Sequence, residues 1–417
     1  MNRAAFRPVG ADPADSACGH ADTGDRSQMP PSGGAHGRIG TLPRALGAGT
    51  ARNAGIELFR CVSMILIVLL HVLGRGGVLA SASASRGSYA AAWFLETVGY
   101  CSVNCYAVIS GYVGINAQFR FRRIALLWLE VVFWLAVPAA VCKLFFPAAV
   151  GIDWGETFLP VTHKTFWYFN AYVLLFPFIP ILNGGLRQLS RKRHLAILAF
   201  LFVAAACLHC FSGYDLFVTG SGYSGAWLII LYVFGAYFGR YGVPRFAKRG
   251  RTLAAFFACA AAAWAIQMLA FDLASAGIVS RDSLVYKCLG EAVNYTSPFM
   301  VIMAVCLLCF FAQTHVKPDW LANLIRNMGK GTFGVYLFHV GPVLWENWMV
   351  GRFRNLGKMS PPKLTVCALL AAVALFLLWD ALSLGRRYLF RLCRVERGIN
   401  RLADFLEKAW EKRENIE

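Results

Sequence analysis

Three ionisable side chains, Glu57, Arg60 and His71, interrupt the apolar run ELFRCVSMILIVLLHVLG at residues 57–74. A charged side chain in hydrocarbon costs at least about 2.5–3.5 kcal/mol on insertion scales, so such residues usually mark function. Arg60 and His71 are eleven residues apart, which places them on one face of a helix and about 16 Å apart along its axis. Glu57 precedes Arg60 by three residues and lies within pairing distance on the same face.

An imidazole can take up a proton near neutral pH, so His71 is a candidate general base. A second histidine, His339, lies in the apolar stretch GKGTFGVYLFHVGP. We expect Arg60 and His71 to line one hydrated groove rather than to face lipid. The alternative is structural: Arg60 reaches the membrane surface, and His71 bonds a backbone carbonyl. His339, taken alone, is also more often structural.

A cluster of basic residues, Arg120, Arg122 and Arg123, follows in NAQFRFRRIALLW. Arg122 and Arg123 open a predicted helix. Guanidinium groups and helix N-termini both favour phosphate, so the cluster is a candidate anion site. The alternative is an anchor that keeps this loop on the cytoplasmic side.

Other polar residues interrupt the apolar segments. The stretch SVNCYAVISGYVGI contains Asn104, Ser110 and Tyr112, and its Gly111 permits close contact between helices. Trp167 begins an aromatic stretch, WYFNAY, that is typical of the belt at a membrane surface.

The composition excludes a soluble domain. The 417 residues are 58% hydrophobic and 15% charged, with a mean hydropathy of +0.52, whereas soluble proteins carry about 25% charged residues. We predict an all-α polytopic membrane protein, a bundle of about ten transmembrane helices. The ten candidate spans are 56–74, 92–115, 124–146, 167–183, 195–212, 225–239, 252–271, 294–313, 331–350 and 364–384.

The net charge of +19 does not indicate nucleic-acid binding, because the basic residues lie in short clusters between apolar runs. Loops rich in Lys and Arg alternate along the chain with loops that have few, and the basic loops are expected on the cytoplasmic side. This pattern predicts a multi-pass protein of the cell membrane with both termini cytoplasmic. The basic loop 351–363 is the exception. It either binds an anionic ligand or shows that the ninth span is re-entrant, and we favour a span.

Three regions follow from this pattern. We predict a disordered cytoplasmic leader at residues 1–50 and a membrane domain at residues 52–385. Residues 386–417 are predicted to form a basic amphipathic tail on the inner membrane surface. The 13 cysteines lie mostly in apolar segments. Their two C-x-x-C pairs have no second half at zinc spacing, so we expect no metal site.

Taken together, these stretches resemble the acyltransferase-3 family of integral membrane acyltransferases over roughly residues 52–385. Four motifs in order carry the resemblance: R-x10-H (Arg60 and His71), ISGY (residues 109–112), R-x-x-R (Arg120 and Arg123) and G-x-Y-L-x-H (residues 334–339). The family often has an acidic residue followed by consecutive Phe before ISG. This chain has Asn104 and CYA there, which resembles the branch that acts on polysaccharide or glycolipid intermediates.

The resemblance implies a membrane-bound O-acyltransferase, transferring groups other than amino-acyl groups, with acetyl as the expected group. It would move the group from cytoplasmic acetyl-CoA, or another acyl-CoA, to a sugar hydroxyl of a cell-surface polysaccharide or glycolipid precursor. The acyl-CoA is a donor substrate, and no permanently bound cofactor is expected.

Residue roles follow from the same resemblance. His71 would deprotonate the acceptor hydroxyl, and His339 would be its partner, a second base or an oxyanion donor. The donor phosphates would be held by Arg60, Arg120, Arg122 and Arg123. Supporting positions are Glu57, Asn104, Ser110, Tyr112 and Trp167.

Two other functions compete with this prediction. A transporter or flippase for a lipid-linked sugar would also carry buried ionisable residues, but we find no inverted repeat in the sequence. A sensor or scaffold in an envelope assembly would have no need of an arginine cluster and buried histidines. We therefore favour the acyltransferase.

Overall fold

A computed structural model of the chain describes residues 52–117, 120, 122–145 and 154–414, without the side chains of residues 403 and 406–414. The predicted leader lies outside the described residues. Within them every regular element is a helix and no strand occurs, which confirms the all-α prediction.

The helices are numbered in chain order. The first nine are α1 (Ala54–Leu73), α2 (Val78–Ala82), α3 (Arg86–Tyr100), α4 (Ser102–Gly114), α5 (Arg122–Phe145), α6 (Trp154–Phe158), α7 (Trp167–Gln188), α8 (Arg191–Leu201) and α9 (His209–Ser212). The others are α10 (Gly225–Tyr241), α11 (Arg249–Ser275), α12 (Leu284–Gly290), α13 (Pro298–Ala312), α14 (Asp319–Gly329), α15 (Thr332–Val340), α16 (Pro342–Leu344), α17 (Pro361–Leu392) and α18 (Val395–Glu414).

Seven helices within the described residues are long and apolar enough to cross a membrane, so the chain is a multi-pass membrane protein. They are Ala54–Leu73, Arg122–Phe145, Trp167–Gln188, Arg191–Ser212, Arg249–Ser275, Leu284–Ala312 and Pro361–Leu392. The count of about ten is not confirmed.

The three other predicted spans fall on shorter helices. The span 92–115 is divided between α3 and α4 at Cys101, and the span 225–239 corresponds to α10, which has 17 residues. The ninth span, 331–350, is interrupted at Gly341, where the backbone is extended (φ −57°, ψ 141°). Beyond it, the N–H of Gly351 donates to the carbonyl of Arg75 at 3.0 Å, so the basic loop packs on the C-terminal end of α1.

The first helix is central in the bundle. Asn53 caps α1, because its side chain accepts hydrogen bonds from the N–H groups of Gly55 and Ile56 at 2.9 and 3.4 Å. Of its apolar window 67% is buried, against 28–33% for five of the other spans. A helix that carries ionisable groups must be surrounded by protein, since lipid would leave those groups unpaired.

The outer helices expose large apolar side chains. Examples lie on α5, α7, α8 and α17: Leu144, Ile181, Phe200 and Leu370. Such side chains are expected where lipid, rather than water, surrounds the protein.

Glycines bring α4 and α10 into close contact. A β-carbon at Gly111 would overlap the carbonyl oxygen of Tyr232, and one at Gly235 would overlap the carbonyl oxygen of Val108. The predicted role of Gly111 in helix contact is therefore confirmed, and Gly235 supplies the other half of the contact.

Replacing Gly235 with Ala should destabilise the fold. The added methyl has no space beside Val108, and overpacking of this kind costs about 1–3 kcal/mol. Thermal unfolding of the purified protein in detergent should show a lower midpoint. Gly185→Ala in α7 is the matched control, because nothing lies within 4 Å of a β-carbon there; an equal loss in both variants would contradict the proposed packing.

Candidate active site

The candidate base lies in the last turn of α1. His71 follows Met64 and Ile67 on one face of the helix, at the 3.6-residue spacing that aligns side chains. Gly74 ends the helix, and its N–H donates to the carbonyl of Leu70 at 2.8 Å. The imidazole is therefore carried by a regular helix that is itself surrounded by protein.

The second histidine is positioned by α15. Gly334 lets this helix approach α17 and α5, since a β-carbon there would lie 2.5 Å from Oγ of Ser383 and 3.1 Å from Oε1 of Glu130. The hydroxyl of Ser383 donates to the carbonyl of Gly331 at 3.1 Å. These contacts place His339 one turn further along α15, in the interior of the bundle.

A buried ion pair holds α5 against α17. The Arg386 guanidinium donates to Oε1 of Glu130 at 2.5 Å, and both side chains are buried. Because both charges are removed from water, each depends on the other for compensation. The pair lies beside Gly334 and so supports the helix that carries His339.

The two histidines bond to each other. Nδ1 of His71 lies 2.8 Å from Nε2 of His339, and Nδ1 of His339 lies 2.6 Å from the carbonyl oxygen of Val335. A carbonyl only accepts, so Nδ1 of His339 must carry the hydrogen. With both rings neutral, Nε2 of His339 then accepts from Nδ1 of His71, and Nε2 of His71 keeps a free lone pair.

Two tryptophans pack against these rings. Trp379 stacks on His339 with 4.9 Å between ring centroids and 6° between planes. Trp345 meets His71 edge-on at 4.8 Å. These contacts restrict rotation of both imidazoles and keep their hydrogen bond aligned.

A cavity of about 490 Å³ lies beside His71. Side chains of α1, α3, α4, α7 and α15 contribute to its wall, and most of the lining surface is apolar. The lining residues include His71, Arg75, Glu96, Tyr106, Trp167 and Tyr336. A largely apolar cavity with a few convergent polar groups is the usual form of a small-molecule site.

Comparison with known proteins decides the family. Residues 53–380 match the model of the acyltransferase-3 family, described as an acyltransferase domain. The chain belongs to the acyltransferase-3 family. No curated protein and no solved structure matches the chain. The family predicted from the four motifs is confirmed, and this protein is a membrane acyltransferase.

Arg60 lies outside the cavity of the acyltransferase. It donates to Oε1 of Glu57 at 2.7 Å, as the spacing predicted. Its carbonyl accepts from the hydroxyl of Tyr106 at 2.8 Å, and Tyr106 lines the cavity whereas Arg60 does not. The structure therefore does not bring Arg60 into one groove with His71; Tyr106 connects the two regions.

Guanidinium groups gather near the N-terminal end of α1. Partial burial lowers the pKa of Arg52, and the positive charges of Arg60 and Arg123 lower it further, while Glu57 opposes them. These groups are therefore close enough to interact, although Arg52 precedes α1, Arg60 lies on α1 and Arg123 lies on α5. They form the arginine group of the acyltransferase: Arg52, Arg60 and Arg123.

The two other predicted arginines are placed differently. Arg122 donates to Oδ1 of Asn400 on α18 at 3.3 Å, so its side chain joins the third span to the C-terminal helix. Arg120 is exposed, and its carbonyl accepts from the N–H of Arg123 at 3.0 Å at the start of α5.

Polar residues of α4 serve packing. The fully buried Asn104 donates to the carbonyl of Tyr295 at 2.7 Å and accepts from the indole of Trp227 at 3.0 Å. Ser110 donates to a carbonyl of its own helix at 2.9 Å. Tyr112 contributes backbone to the glycine contact with α10.

Most residues of the cavity were not predicted from the sequence, among them Glu96, Arg75 and Trp345. Glu96 interrupts the apolar run AAWFLETVGY, and that signal is as strong as the one that identified His71. Trp167, which the sequence predicted in an interfacial belt and as a supporting position, lines the cavity.

The tautomer of His71 can be measured. We expect hydrogen on Nδ1 and a bare Nε2 in ¹⁵N-histidine NMR spectra of the acyltransferase. His339→Leu removes the acceptor for Nδ1–H, so the preference should weaken in that variant. A spectrum in which Nε2 of His71 carries the hydrogen in the unmodified protein would contradict this arrangement.

Proposed function

We propose that this protein is an O-acyltransferase, with acetyl as the acyl group, that modifies a sugar hydroxyl of a surface polysaccharide or glycolipid precursor. The observation that carries the proposal is the free Nε2 lone pair of His71 at the wall of a cavity. A general base must reach the proton that it removes, and an acceptor hydroxyl in this cavity would lie beside His71.

The reaction begins when Nε2 of His71 accepts the proton of the acceptor hydroxyl. The hydroxyl oxygen attacks the thioester carbonyl, and the carbon–sulfur bond breaks as the ester forms. The thiolate leaves and takes the proton back from His71. An acyl-histidine intermediate is not required by this geometry, since base and acceptor can meet in one cavity.

His339 acts through His71. When His71 gains a proton, its Nδ1–H still donates to Nε2 of His339 at 2.8 Å, so the imidazolium stays oriented. The role resembles that of the third member of a catalytic triad, which holds the base in its useful tautomer.

The donor would enter at the arginine group. We place both termini, and hence the N-terminal end of α1, on the cytoplasmic side of the cell membrane, because basic residues concentrate in those loops. The bond from Arg60 to Glu57 leaves other guanidinium donors for phosphate. The arm of acyl-CoA then follows α1 past Tyr106 to His71, about 16 Å along the axis.

The proposed acceptor class has its own support. The stretch at Asn104 departs from the common family pattern toward the polysaccharide and glycolipid branch. The cavity reaches Arg75, near the end of α1 that this orientation places at the outer face. Mass spectrometry of surface glycans from cells with and without the gene should show O-acetyl groups only when the gene is present. Transport of an unmodified glycan without binding or use of acetyl-CoA would favour the transporter instead.

His71→Gln should abolish transfer. Loss of a general base lowers the rate by about 10²–10⁴-fold, while acetyl-CoA should still bind, because the arginine group is unchanged. Ester formation is measured by mass spectrometry and donor binding by calorimetry. The control is His194→Gln, a buried histidine of α8 that bonds the carbonyl of Val233 at 3.2 Å and does not line the cavity. Normal transfer by His71→Gln would eliminate the proposed base.

Arg123→Ala should weaken donor binding by roughly tenfold, because it removes hydrogen bonds between charged groups. The KM for acetyl-CoA should rise more than kcat falls. Arg281→Ala is the control: this exposed residue precedes α12 in a loop that the proposed topology places at the outer face. An unchanged KM for acetyl-CoA would remove Arg123 from the donor site.

A further inference from the structure

One cavity residue has no role in the chemistry above. Glu96 lies in the interior of α3, is 9% exposed and lines the cavity. No hydrogen bond or ion pair joins its carboxyl group to any described residue, and its Oε2 atom is fully enclosed. A buried carboxyl group without a partner is costly, so an arriving polar ligand would be stabilised there.

Four aromatic rings form a continuous cluster in the same cavity. Tyr100 follows Glu96 by one helical turn, which brings their side chains together on one face of α3. Tyr100 lies 4.8 Å from Tyr295, Tyr295 lies 5.0 Å from Tyr223, and Tyr223 lies 4.6 Å from Trp167, measured between ring centroids. All four rings line the cavity.

This combination suits a neutral sugar ring. The electron-rich aromatic faces attract the polarised C–H groups on one side of a pyranose. Oε2 of Glu96 is enclosed, so the carboxyl group meets the cavity through its other oxygen, and one sugar hydroxyl can form a hydrogen bond there. A cationic ligand would also be attracted by aromatic rings, so the test below includes a cationic probe.

We propose that Glu96 and this aromatic cluster, Tyr100, Trp167, Tyr223 and Tyr295, form the acceptor subsite. The subsite takes a neutral sugar unit through one of its hydroxyls, and it presents a neighbouring hydroxyl to His71. Glu96 thereby selects which hydroxyl is acylated. This inference rests on the proposed function, since it assigns the acceptor half of the same reaction.

The test measures acceptor and donor binding separately on the full chain in nanodiscs. The neutral probes are methyl β-D-glucopyranoside, methyl β-D-galactopyranoside and methyl α-D-mannopyranoside, titrated by saturation-transfer NMR. Tetramethylammonium is the cationic probe, and acetyl-CoA binding is followed by calorimetry. We expect the unmodified protein to bind at least one glycoside, and tetramethylammonium not to displace it.

The variant Glu96→Gln keeps the size of the side chain but replaces one carboxyl oxygen with an amide NH₂ group. We expect it to raise the Kd of the bound glycoside about tenfold, because the exchange disturbs a hydrogen bond to a buried group. Trp167→Leu should have a similar effect by removing the largest ring. Both variants should leave the Kd of acetyl-CoA within about twofold, which a general loss of structure would not do.

Asp380→Asn is the matched control. Asp380 is also buried and its Oδ1 has no partner among the described residues, but it does not line the cavity. It should leave the glycoside Kd unchanged.

Three results would overturn the subsite: no glycoside bound by the unmodified protein, an unchanged Kd in Glu96→Gln, or displacement by tetramethylammonium. Failure of the proposed function is distinct, because the unmodified protein would then bind no acetyl-CoA, whatever the glycosides do.

Discussion

The hydrogen bond between His71 and His339 joins α1 to α15 and determines what the cavity can do. A backbone carbonyl, that of Val335, sets the direction of these hydrogen bonds, because a carbonyl oxygen can only accept. Each N–H then has one available acceptor, and the lone pair on Nε2 of His71, a residue that lines the cavity, is left unused. In an environment of low dielectric constant such a chain is strong when complete and costly when broken, so the surrounding helices must hold both rings in place.

Residues of α5 and α17 hold His339 in position for its hydrogen bond to His71. The Glu130–Arg386 pair and the contact of Ser383 with Gly331 fix the start of α15, while Trp379 stacks on its last histidine. A buried ion pair contributes little net stability, but it specifies which helices meet. Polar groups inside this bundle thus position the helices, and the apolar side chains fill the space between them.

The regions proposed for the donor and the acceptor are separated along α1. The arginine group lies at its N-terminal end and the cavity at its C-terminal end, with Tyr106 touching both through its hydroxyl and its ring. A thioester that passes an aromatic barrier before it meets the base is kept from water, which would otherwise compete with the sugar hydroxyl. The two ends of one helix therefore carry the two substrates of the proposed reaction.

The sequence alone determined the membrane class, the family and the local pairs, since these depend on composition and on helical spacing. The bond from Arg60 to Glu57 follows from their spacing of about one helical turn. The close contact at Gly111 follows from the missing side chain of glycine. Contacts between residues far apart in the chain could not be predicted. His71 and His339 are 268 residues apart, and Asn104 is 191 and 123 residues from its partners Tyr295 and Trp227. Helical periodicity gives the face of a residue but not the helix that meets it, so only the packed bundle decided which polar groups share the cavity.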